Sequence, residues 1–218
     1  YEGQFSNGEP SGTGAYIMAN GDRCEGKISN GQINGKGVCK YANGNRYEGE
    51  LRNGKPNGQG VYTFAEGGSY KGQFSDGING TGVREYANGN RYEGEFRNGK
   101  PDGQGVYTIA NEGRYEGTLS DGKFNGTGVY TLENGDRYKG EFRSGEFNGT
   151  GVYTFANGDR CEGQFSNGQL NGKAVCKYTN GDTYEGQFTN GQKQGQGVYV
   201  YADGTRVAGT WKDDQFQQ

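Results

Sequence analysis

The chain has 218 residues, of which 29% are hydrophobic and 46 are glycine, roughly three times the ordinary glycine share. Its formal net charge of −3 is too small to pair with the low hydrophobicity as a signature of disorder. Glycine is not spaced by three and only 3 prolines occur, which excludes collagen, and no apolar run approaches the roughly 18 residues a membrane helix needs.

The glycines follow an internal period, which decides the architecture before any local reading. Segments related to Tyr-Glu-Gly-x-Phe-x-Asn-Gly begin at Tyr1, Cys24, Tyr47, Tyr70, Tyr92, Tyr115, Tyr138, Cys161, Tyr184 and Val207. The step is 23 residues except from Tyr70 to Tyr92, where it is 22, giving nine repeats and a partial terminal repeat over 207–218. Glycines fall at repeat positions 3, 8, 12, 14 and 21, with Gly68 and Gly113 at 22; all 17 tyrosines fall at 1, 16 or 18, and Pro10, Pro56 and Pro101 at 10.

In each repeat the apolar residues alternate, as in Tyr138, Gly140 and Phe142 and then Gly151, Tyr153 and Phe155, a period of two that predicts two short strands. Arg143 to Thr150 is expected as the loop between them, and Asn157-Gly158-Asp159 as a hairpin turn, because Asn-Gly takes up positive φ readily. Helices are disfavoured by glycines spaced two to nine residues apart. The expected fold class is all-β: an elongated single-layer antiparallel β-meander of tandem hairpins with a twisted open groove, a rod on the order of 90 Å at about 4.8 Å per strand. Positions 1, 3, 5, 14, 16 and 18 share one face, where glycines leave room for rings to pack laterally in place of a second layer. The opposite face carries Glu, Gln, Val and Thr and is expected to be largely solvated.

Taken along the chain, the second repeat has Cys24 and Cys39 at positions 1 and 16; the third supplies Tyr62 and Phe64; the fourth lacks one residue between Gly77 and Ile78. The fifth and sixth supply Tyr107 and Tyr130, and the seventh Tyr153 and Phe155. The eighth repeats the cysteine exchange at Cys161 and Cys176 and has Ala174 for glycine. The ninth supplies Tyr199 and Tyr201, and the terminal repeat has Val207, Trp211 and Phe216. Joint exchange of positions 1 and 16, twice, places them in contact across the hairpin, as a disulfide or as a packed thiol pair. Reduced, packed thiols are the favoured form. The two pairs lie roughly 57 Å apart at about 4.8 Å per strand, so a shared zinc site is excluded for a single rod.

Catalytic chemistry finds no support. The chain has no histidine, which removes Ser-His-Asp and Cys-His arrangements and most transition-metal sites. None of the Gly-x-Gly pairs opens a helix after a strand, so the phosphate-cradle reading fails. Glu48, Glu93 and Glu116 form a regular ladder better read as a solvated face than as a catalytic pair. Three Asn-Gly-Thr sequences beginning at Asn79, Asn125 and Asn148 match the glycosylation sequon and are better read as turn chemistry carried by the period.

The unit Tyr-x-Gly-x-Phe-x-x-Gly-x-x-x-Gly-x-Gly resembles the MORN (membrane occupation and recognition nexus) repeat; Tyr47, Gly49, Leu51, Gly54, Gly58 and Gly60 show one copy. The resemblance covers essentially the whole chain, departing at Cys24, Cys161, Ala174, Val207 and Trp211, with Ala174 weakening ring packing in the eighth repeat. It implies an antiparallel β-meander with an aromatic groove, a scaffold or interaction role, binding of anionic phospholipids or protein segments, and in some members dimers.

The leading functional reading is therefore a non-catalytic scaffold whose groove, lined by Tyr62, Phe64, Tyr107, Tyr130, Tyr153, Phe155, Tyr199 and Tyr201, receives an extended or helical segment of a protein partner. The alternative is peripheral binding to anionic membranes. It is disfavoured because residues 1–114 hold 13 basic and 13 acidic side chains and residues 115–218 hold 10 and 13, with no polybasic cluster. The same balance argues against nucleic acid. No cofactor or metal is expected. Trp211 and Phe216 are candidates for a cap or a homodimer contact, since an open sheet edge invites pairing. No targeting segment is visible, and a cytoplasmic location, with cytoskeletal or membrane association in reach, is the expectation. Tyr1 opens on a repeat boundary, so flanking domains are left open.

Overall fold

The computed structural model describes residues 1–217. The chain divides into two compact units, Tyr1–Ala110 and the residues from Asn111 onward. The first holds β1 (Glu2–Ser6), β2 (Glu9–Ile17), β3 (Arg23–Ser29), β4 (Gln32–Lys40), β5 (Arg46–Arg52), β6 (Lys55–Thr63), β7 (Gly68–Phe74), β8 (Ile78–Tyr86), β9 (Arg91–Arg97) and β10 (Lys100–Ile109). The second holds β11 (Gly113–Ser120), β12 (Lys123–Leu132), β13 (Arg137–Arg143), β14 (Glu146–Thr154), β15 (Arg160–Ser166), β16 (Gln169–Lys177), β17 (Thr183–Thr189), β18 (Gln192–Val200), β19 (Arg206–Lys212) and β20 (Gln215–Phe216). Within each unit every strand pairs antiparallel with the next in sequence, a single-layer meander, and no helix occurs among the described residues.

The first connection of each repeat is shorter than the glycine pattern suggests. Ser144 and Gly145, at φ 53° and 96°, form a two-residue turn closed by the pair Arg143 and Glu146, so most of the expected loop from Arg143 to Thr150 is already strand. Two successive positive φ values twist the chain in the sense the flanking strands require. Gly149, at φ 59°, lies at a bulge: Gly140 faces Gly151 and Glu141 faces Asn148, leaving Gly149 and Thr150 unopposed on β13. At Asn157-Gly158 only the glycine has positive φ, in a longer connection where the Phe155 N–H donates to the Asp159 carbonyl at 2.8 Å.

Register puts position 1 opposite position 16 in every hairpin and again across to the next repeat, as in Tyr62 between Tyr47 and Tyr70. Of this row only the position-1 rings are sealed. Tyr47, Tyr70, Tyr92, Tyr115, Tyr138 and Tyr184 are 0% exposed. Each ring lies over the two glycines of its own hairpin: a Cβ on Gly82 would stand 2.6 Å from Tyr70 Cε2. Its hydroxyl reaches the carbonyl at the bulge, Tyr47 donating to Glu50 O at 2.6 Å and Tyr138 to Glu141 O at 3.0 Å. Edge-on contacts run within and between repeats, with Tyr70 centred 5.2 Å from Phe74 of its own repeat and 4.9 Å from Phe96 of the next.

The cysteine expectation is corrected. Cys24 is joined to Cys39 and Cys161 to Cys176 by disulfides, each with Cα atoms 4.0 Å apart. The partners are directly opposite in register and buried, so no side chain separates the sulfurs. Ile33 and Leu170, at position 10 of the two cysteine-bearing repeats, are buried. Ala174 is itself buried and strains nothing, because the ring its methyl would strike is absent from that repeat.

Two side-chain ladders run from repeat to repeat. Asp or Asn at position 22 accepts the backbone N–H at position 19 of the following repeat, as Asp22 does from Ala42 at 2.8 Å and Asp182 from Ala202 at 2.9 Å. At the other edge, Asn34, Asn79, Asn125 and Asn171 accept from the turn N–H of Asn53, Asn98, Ser144 and Asn190 at 2.8–3.1 Å. On the solvated face Arg46–Glu48, Arg91–Glu93, Arg114–Glu116 and Arg160–Glu162 pair at 2.5–2.8 Å, and Arg23 also pairs with Glu25. Exposed pairs of this kind add little stability.

Candidate partner-binding groove

Fractional exposure separates two kinds of ring on the aromatic face. Against the sealed position-1 tyrosines, Tyr62, Phe64, Tyr107, Tyr130, Tyr153 and Tyr199 are half-buried, and Phe155 and Tyr201 are exposed at 42% and 44%. Positions 16 and 18 are two residues apart and so on the same strand face, and their rings meet: Tyr62–Phe64, Tyr153–Phe155 and Tyr199–Tyr201 each have centroids 4.8 Å apart. Of the eight expected residues, Tyr62, Phe64 and Tyr107 belong to the first unit and the other five to the second, where Cys176 stands at position 16 between Tyr153 and Tyr199.

Sequence reasoning missed Tyr41, Tyr86 and Tyr178, which extend the line at 5.7 Å from Tyr62, 5.9 Å from Tyr107 and 6.0 Å from Tyr199. Their shared position 18 was the available signal. In the second unit the position-10 residues Phe124 and Phe147 also contribute, with centroids 6.0 Å and 6.4 Å from Tyr130.

Three of the ring hydroxyls are tethered. Tyr153 donates to Asp136 Oδ2 at 2.7 Å, Tyr199 donates to Asp182 Oδ2 at 2.6 Å, and Tyr62 accepts from Asn45 Nδ2 at 2.8 Å. The hydroxyls of Tyr153 and Tyr199 hold the Asp136 and Asp182 carboxyls below the ordinary range. Burial, and secondarily these carboxylates, push the Tyr153 and Tyr199 phenols well above their usual value, and burial pushes those of Tyr41, Tyr86 and Tyr178 up to about 12. The groove therefore presents neutral rings at physiological pH, pre-set in orientation.

Two cations enter this face, both where the usual residue is replaced. Arg84 stands at position 16 of the fourth repeat with its Cζ 3.5 Å from the Phe64 centroid and 5.0 Å from that of Tyr86. Lys193 stands at position 10 of the ninth, its Nζ 5.2–5.6 Å from the rings of Tyr178, Tyr184, Tyr199 and Trp211. Neither stands out in the sequence as a site residue. Their departure from the aromatic or apolar consensus of those positions was the signal.

Trp211 is buried edge-on against Tyr184 at 5.2 Å and beside Phe216 at 5.5 Å, while Phe216 is 39% exposed. The structure thus brings these two together, with Phe216 the accessible member. Among the described residues no group of three or more Cys, Asp or Glu is placed to hold a metal.

Solved structures with a similar fold include the wild-type TCP10 domain of Danio rerio CPAP, at 18% identity and TM-score 0.52, covering 92% of this chain and 94% of that one. Another is the SAS-4 (dCPAP) TCP domain of Drosophila melanogaster in complex with a proline-rich motif of Ana2 (dSTIL), at 17% identity and TM-score 0.46, covering 71% and 85%. At 18% identity the likeness to the Danio rerio domain concerns the fold alone. No curated protein matches the chain in sequence. The MORN repeat family, by contrast, matches at residues 1–23, 24–46, 47–69, 70–91, 92–114, 115–137, 138–160, 161–183 and 184–206. With nine consecutive copies in the register read from its tyrosines and glycines, the chain belongs to the MORN repeat family.

Proposed function

We propose that the chain is a non-catalytic protein-interaction module whose position-16 and position-18 rings receive an extended segment of a partner. The observation that carries this reading is the division of labour between sealed and accessible aromatics: position-1 tyrosines hold the sheet, leaving Phe155, Tyr201 and the half-buried rings beside them open to contact. Tethered tyrosines offer large contact area with little entropy left to lose. Equivalent rings in successive repeats lie two strands, or about 9.6 Å, apart. Three residues of polyproline II span about 9.3 Å, so a segment in that conformation presents one side chain per repeat. Aromatic-lined grooves bind such segments economically because the bound shape is preformed. Phe216 is the contact a second copy of the chain would use.

The test is fluorescence anisotropy with a labelled peptide of four Pro-Pro-Leu copies. Saturable binding is expected, weakened about fivefold or more in the variant Phe155→Ser with Tyr201→Ser, whose exposed positions leave the fold intact. Absence of peptide binding together with saturable cosedimentation on phosphoinositide vesicles at about 0.1 M salt would replace this reading by membrane binding.

A further inference from the structure

Arg84 occupies a position where the chain elsewhere places Tyr or Cys, and it lacks the tether seen at Tyr62, Tyr153 and Tyr199. Tyr62, Tyr153 and Tyr199 each meet the position-22 side chain of the preceding repeat, Asn45, Asp136 or Asp182. Before Arg84 that residue is Gly68, which has no side chain to offer, and a Cβ there would overlap the Glu85 carbonyl. The guanidinium consequently lies over Phe64 with its Nε buried and without a hydrogen-bond partner. No carboxylate stands within 4.0 Å of it among the described ion pairs; Glu66 acts on it only at longer range, and burial lowers its proton affinity. Arg84 as a whole is half-buried, and a guanidinium whose Nε has no acceptor while its plane is held on a ring is completed best by an anionic group. Its cross-strand partners are Tyr70 and Tyr92, the facing rings are Phe64 and Tyr86, and Tyr107 acts at longer range; none of these residues carries a carboxylate.

We propose that Arg84 is a carboxylate-reading point in the groove of the first unit, selecting a partner segment that carries a Glu or Asp side chain among apolar residues. This rests on the groove reading above and adds its specificity. The planar fork of the guanidinium accepts a carboxylate through two parallel N–H donors, and ring stacking on Phe64 fixes the plane in which that carboxylate must lie. A cation among the rings of the first unit also sets register, because a segment displaced by three residues leaves its carboxylate beside a tyrosine.

The experiment compares two labelled peptides of four Pro-Pro-Leu copies, in which one central leucine is replaced by Glu or by Gln. The Glu peptide is expected to bind about tenfold tighter at low salt, the scale of a hydrogen-bonded charge pair. Arg84→Gln should bring the two peptides level by weakening only the Glu peptide. Arg84→Tyr, which restores the residue usual at this position and is expected to fold at least as well, should do the same. Equal binding of both peptides to the unaltered chain would overturn the carboxylate assignment and leave the groove reading standing. Binding of neither would overturn both. A Glu preference that survives in Arg84→Tyr would place the recognition elsewhere and also overturn the assignment.

Discussion

Gly82 and Ala174 occupy the same repeat position and answer to different neighbours. At Gly82 the Tyr70 ring fills the space a methyl would need, whereas at Ala174 that ring has been exchanged for Cys161. Gly82→Ala should therefore destabilise the chain by about 1–3 kcal/mol in urea unfolding, as overpacking of a tight contact does. A neutral result would mean the ring does not lie on the glycine pair. The Asp136 and Asp182 carboxyls carry a pH dependence of definite sign. Their folded-state values are depressed, chiefly by the hydroxyls of Tyr153 and Tyr199, so the unfolded chain takes up protons first on acidification. Their contribution is complete above about pH 4 and is lost as the pH falls through the folded values. Thermal melts from about pH 6 to 2 should show stability falling below about pH 4. The variant with Asp136→Asn and Asp182→Asn, which places at both sites the amide that Asn45 already supplies in the second repeat, should fall less steeply. An unchanged slope would contradict the tether.

At the scale of the element, the hairpins were legible from the sequence and their bounds were not. Alternation of Tyr, Gly and Phe locates both strands of each repeat. Gly149 reads as loop in the sequence because glycine is common there, yet its positive φ serves a bulge inside β14. The ladders at positions 11 and 22 were hidden for a related reason: Asn and Asp near turns are ordinarily explained by local hydrogen bonds, and these bind the next repeat. Asn171→Ala removes the acceptor for the Asn190 N–H and should cost about 1 kcal/mol. Hydrogen exchange should quicken at Asn190 while Asn53, served by Asn34, is unaffected. The disulfides are the element-level correction, since opposed positions 1 and 16 fixed the contact without fixing the bond. Peptide mapping without reductant should recover links 24–39 and 161–176, and Cys24→Ser with Cys39→Ser should cost roughly 3 kcal/mol, the chain-entropy scale for a loop of this length. Free thiols would refute it.

For the molecule as a whole, the repeat made the fold legible because every glycine and tyrosine had to agree with one register. The groove was legible only in part. Tyr62, Tyr153 and Tyr199 could be named from their position, but which rings are sealed depends on which lie over the glycine pairs, and that follows from register and bulge together. Arg84 was invisible to a search for what repeats, being informative because it does not. The central claim is that contact is made through the position-16 and position-18 rings. It is tested most directly by photo-crosslinking the Pro-Pro-Leu peptide, with benzoylphenylalanine replacing one leucine, and locating the attachment sites by mass spectrometry. Attachment concentrated at residues such as Tyr62, Phe64, Tyr153, Phe155, Tyr199 and Tyr201 is the predicted result; attachment to the face carrying the Arg46–Glu48 and Arg160–Glu162 pairs would contradict it.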